Sequence, residues 1–69
     1  MGSMTAQRFS KVMAYAFADS QEADGHLSAF ANYNYAGLIA AHLSIKQPEQ
    51  AEFWLTERNR AWQLRDKQA

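Results

Sequence analysis

A chain of 69 residues without a cysteine has room for one small core and can hold neither a disulfide nor a thiolate metal site. Seven Lys and Arg balance seven Asp and Glu, so no overall field gathers nucleic acid or anionic membrane around it. The longest uncharged apolar run, Ala36 to Ala41, is far short of the ~20 residues that span a bilayer, while 48% hydrophobic and 13% aromatic content is too apolar for a disordered tail.

The opening Met1-Gly2-Ser3 reads as a cloning scar ahead of a natural start at Met4, and no leader with a charged then apolar pattern follows it. Residues 4–69 are expected to form a single cytoplasmic, all-α domain, either a three-helix bundle or a helical hairpin plus one helix. A core of this size rarely supplies more than roughly 3–5 kcal/mol of net stability. With no disulfide to supplement it, a partner is the expected addition, and a dimer is the expected form. Gly25 and Pro48 divide the chain into three blocks, with helices expected at about 5–23, 26–44 and 48–66.

In the first block Phe9, Val12, Met13, Ala16 and Phe17 fall at helical spacing on one stripe, while Arg8, Lys11, Asp19 and Glu22 lie off it. Ser3 or Thr5 can cap its start. Asp24-Gly25 ends it, because glycine accepts the positive φ common after a helix C-terminus.

From His26 through Ile45 the second block has 20 residues without one Asp, Glu, Lys or Arg. Leu27, Phe30, Ala31, Leu38 and Ile39 predict its core stripe, with Asn34 and His42 as hydrogen-bonded polar groups inside the same apolar arc. The other side carries Ala29, Tyr33, Ala36, Gly37 and Ala40. Small residues at this spacing let a second backbone approach closely, so this side is the expected self-association surface of a homodimer, with Tyr33 pointing outward and Tyr35 at the margin of the core.

Pro48 suits the first turn of the third helix, and Ala51, Trp54, Leu55, Ala61 and Trp62 form its apolar arc. Glu49, Glu52 and Glu57 come early and Arg58, Arg60, Arg65 and Lys67 come late, a sorting that complements the helix dipole. Arg58 lies four residues from both Trp54 and Trp62, close enough for a guanidinium to lie over an indole. Trp and Arg are also enriched at binding hot spots. Trp54, Arg58, Trp62, Arg65 and Tyr33 are therefore the expected partner-binding residues, unless the tryptophans are core and the arginines extend along them to water.

Catalytic chemistry finds no constellation. His26 and His42 are 16 residues apart, and the chain has no H-E-x-x-H, no G-x-S-x-G, no P-loop and no dinucleotide-binding glycine motif. No catalytic residue, metal ligand or cofactor is predicted. The run from Pro48 to Trp54 resembles the start of the second helix of a tetratricopeptide repeat. Ile39, however, occupies the place where that family prefers glycine, and a lone unit would lack the stacked neighbours such repeats need. The functional expectation is a non-enzymatic protein-interaction module, a small adaptor, inhibitor or regulator that binds itself and an unidentified protein. The alternative is a dimeric nucleic-acid-associated regulator presenting Arg58, Arg60, Arg65 and Lys67 to phosphates, which the balanced charge disfavours.

Overall fold

The computed structural model describes residues 4–68, so Met1-Gly2-Ser3, with the cap candidate Ser3, and Ala69 of the expected 4–69 domain lie outside it. Helix α1 runs over Ala6–Asp24, α2 over His26–Lys46 and α3 over Ala51–Gln68. A single turn of 3-10 helix, Pro48–Gln50, leads into α3, and no strand occurs among the described residues. The all-α class expected from the periodicity holds.

The boundaries follow from local chemistry. Thr5 caps α1, its hydroxyl accepting the Arg8 amide hydrogen at 3.2 Å. Gly25 alone separates α1 from α2, at φ 81° and ψ −162°, a region open essentially to glycine. At the other junction Gln47 donates its amide to the Leu43 carbonyl and accepts from Gln50, so the chain passes from α2 through Pro48 into α3 without a long loop.

Every helix packs against the other two, which makes the fold a bundle. Its extents are 35 × 21 × 19 Å, the longest matching the rise of about 1.5 Å per residue over α2. Phe9, Met13 and Phe17 of α1, Ala36 and Ala40 of α2, and Trp54 and Ala61 of α3 form the core. Phe9 meets Trp54 edge-on at 5.7 Å between centroids, and Phe17 meets Trp62 in the same way at 5.2 Å. The α1 stripe is displaced from its expected position. Ser10, Ala14 and Ala18 are buried while Val12 faces out, because α1 lies in the angle between two neighbours.

Helix α2 is turned the other way round from the sequence expectation. Ala29, Ala36 and Ala40 are buried against the bundle, whereas Leu27 is 86%, Leu38 69% and Ile45 76% exposed. Phe30 and Ala31 also face outward, and so do Asn34 and His42, the two expected core polar groups. Ile39 alone of the expected stripe packs partly on the core. The reason is steric. Phe9, Phe17, Trp54 and Trp62 project into the centre from α1 and α3, and little depth is left for α2 to fill. A strip of alanine lets its backbone close on those rings.

Candidate interaction surface

The residues expected to bind a partner are brought together, but mostly on the inside. Trp54 is only 6% exposed and sits in the core between Phe9 and Phe53. Trp62 is half-buried against Phe17 and Tyr33. Tyr33 does not point outward; it lies half-buried between α2 and α3, and its hydroxyl donates to Asn59 Oδ1 at 2.7 Å.

Arg58 lies over neither tryptophan. Its guanidinium carbon is 4.2 Å from the centre of the Tyr33 ring, across the helix interface, and its Nη2 donates to Asn59 Oδ1 at 3.3 Å. Arg65 covers Trp62, three residues earlier on the same helix, at 4.1 Å. It donates from Nε to Gln21 Oε1 of α1 at 3.2 Å and from Nη1 to the Trp62 carbonyl. Both arginines therefore tie helices together through their planar groups, using the cation-π and hydrogen-bonding capacity of guanidinium.

The residues expected to form the self-association surface are engaged inside the same bundle. Gly37 lies under Arg58, where a Cβ at position 37 would stand 2.8 Å from Arg58 Nη1. Ala29, Ala36 and Ala40 face the same way, so close backbone approach is used within one chain. Asn32 adds a polar tie, donating to the Ala16 carbonyl at 3.2 Å and to the Ser20 hydroxyl on α1.

With that side of α2 spent on the bundle, the other side is left uncovered. Leu27, Phe30, Tyr35, Leu38 and Ile45 are all more than half exposed along one helix, and no charged residue interrupts them from His26 to Ile45. Monomeric proteins rarely leave so extended an apolar patch in water. No family model, curated protein or solved structure matches this chain.

Two of the clefts among the described residues bear on this surface. One, of about 400 Å³, is lined by Ala41, Ser44, Ile45, Pro48, Ala51 and Leu55, almost all carbon, and continues the outer face of α2 at its C-terminal end. The other, of about 490 Å³, lies between α1 and α3 and includes Lys11, Phe53, Arg60 and the buried pair Ser10 and Glu57. Ser10 donates to Glu57 Oε1 at 2.7 Å. Glu57, read from sequence as one more acid at the favourable end of a helix, is thus a buried acceptor joining α1 to α3. No group of three His, Asp or Glu side chains that could hold a metal occurs among the described residues, and none of their helices is long and apolar enough to cross a membrane.

Proposed function

We propose that the chain is a non-enzymatic protein-interaction module, a small adaptor, inhibitor or regulator, whose working surface is the outer face of α2. One observation carries this reading: Leu27, Phe30, Tyr35, Leu38 and Ile45 stand exposed in a row on a helix face without charge. Burial of such a patch is a general driving force for association, and Phe30 and Tyr35 add aromatic area to it. The interface residues of this reading are those of the α2 face, and the Trp and Arg set serves the bundle's own packing. The proposal keeps the cytoplasmic setting expected from the sequence.

A nucleic-acid role has less support. Of the four basic residues at the end of α3, Arg58 and Arg65 are half-buried over aromatic rings, and only Arg60 and Lys67 face water. Even with Lys11, which lines the same cleft as Arg60, this makes a small phosphate contact set.

Affinity capture from the native host with three baits tests the proposal: the wild type, Leu38→Lys on the outer face, and Gln63→Lys on the exposed side of α3. The expected result is one or more proteins retained by the wild type and by Gln63→Lys and lost by Leu38→Lys. Recovery of nucleic acid alone, in an amount that falls steeply with salt, would overturn it.

A further inference from the structure

The exposed positions of α2 follow a regular order. Leu27, Ala31, Asn34, Leu38, Ala41 and Ile45 are separated by four, three, four, three and four residues, and all six face outward. This is the spacing of the seam along which one helix packs lengthwise on another. Ala29, Ala36 and Leu43 occupy the positions opposite that seam and face the bundle's own interior, so the two faces do not compete.

We propose that the seam is occupied by a second copy of this chain, with the two α2 helices running antiparallel about a two-fold axis that crosses the outer face between Asn34 and Leu38. The inference rests on the reading of the outer α2 face as an interaction surface and names its occupant. Reversed, the seam matches itself by size at four of its six positions. Leu27 of one copy comes opposite Ile45 of the other, and Ala31 opposite Ala41, so large meets large at both ends and small meets small between them. Asn34 stands beside Leu38 on each side of the axis. A shift of one heptad in either direction leaves two of the six seam positions of each copy without a partner, so the unshifted register is the one that pairs them all.

Three further observations favour this occupant and this direction. The first charges beyond the two ends of the face are Asp24 and Lys46, both exposed. Antiparallel pairing brings Asp24 of each copy towards Lys46 of the other, whereas parallel pairing sets like beside like. Second, the apolar cleft between Ile45, Pro48 and Leu55 adjoins the end of the seam at which Leu27 of the other copy arrives. Leu27, the most exposed of the large apolar residues, thereby gains a socket. Third, taking the low end of the ~150–250 Å² of an aromatic side chain as a guide for Leu and Ile as well, the five exposed residues present on the order of 600 Å² per copy. The alanines, Asn34, His42 and the cleft bring this near the ~800 Å² per partner of a standard interface. A self-complementary patch of this kind is what a two-fold dimer requires.

Sedimentation and cross-linking test the proposal together. At tens of micromolar the wild type should sediment at about twice the 7.8 kDa of one chain. Leu38→Lys should return it to the single-chain mass with its far-ultraviolet helix signal unchanged. Because the chain has no cysteine, introduced thiols report only on their own contacts. Leu27→Cys mixed with Ile45→Cys should form a disulfide-linked pair under mild oxidation, and each variant alone should not. A wild type that stays at the single-chain mass overturns the self-pairing; if it still captures a host protein through Leu38, the interaction reading survives without it. Cross-linking of Leu27→Cys to itself in preference to Ile45→Cys overturns the antiparallel arrangement.

Discussion

Gly37 and Arg58 explain each other. Glycine in a helix interior costs about 1 kcal/mol relative to alanine, and here its absent Cβ leaves the space crossed by the Arg58 guanidinium on its way to the Tyr33 ring. Arg58 Nε is buried without a hydrogen-bond partner, so the contact stands on stacking and packing and not on a full set of donors. We predict that Gly37→Ala stays within about 1 kcal/mol of the wild type, because the guanidinium end can move aside and helix propensity improves. Gly37→Leu should cost about 1–3 kcal/mol, since a branched side chain displaces Arg58 and wedges α2 from α3. Urea unfolding midpoints measure both. A Gly37→Leu protein as stable as the wild type would mean that Arg58 does not lie across α2.

At the level of the helix, α2 carries two stripes of equal periodicity, one of large apolar residues and one of alanine and glycine. Periodicity locates both and cannot say which is inside. Size suggested the large stripe, but Phe9, Phe17, Trp54 and Trp62 fill the centre from the other two helices, so the small stripe is the one that fits. The opposite inference would have required knowing which rings α1 and α3 contribute. For α1 the matter was simpler: Phe9, Met13 and Phe17 are its only large apolar residues on one face apart from Val12, and they are buried. Helix number, the Gly25 break and the Pro48 start were legible because each depends on a local conformational rule. The cross-helix partners of Arg58 and Glu57 were not, because pairing between distant positions leaves no mark at fixed spacing. We predict that Ala40→Leu, which forces a branched chain into a closed interface, costs about 1–3 kcal/mol, and that Leu38→Lys leaves the thermal transition of the single chain nearly unchanged. A thermal melt followed at low micromolar concentration separates the two. Collapse of Leu38→Lys with tolerance of Ala40→Leu would restore the reversed orientation of α2.

The whole molecule combines a small core with a large uncovered face. A 69-residue chain without a disulfide has little stability in reserve, so an apolar patch left in water also carries the risk of aggregation unless something covers it. The polar outer side of α3, with Glu52, Thr56, Gln63 and Asp66, is the contrasting surface that needs no cover. The central claim, that the outer face of α2 is an interface and the outer face of α3 is not, can be read from one thiol at a time in this cysteine-free chain. Maleimide labelling of Leu38→Cys and of Gln63→Cys should be compared in dilute protein and inside living host cells, each rate in cells being taken relative to its own dilute rate. The account predicts that labelling at position 38 slows several-fold relative to position 63 in the cell. Equal relative rates at the two positions would contradict it.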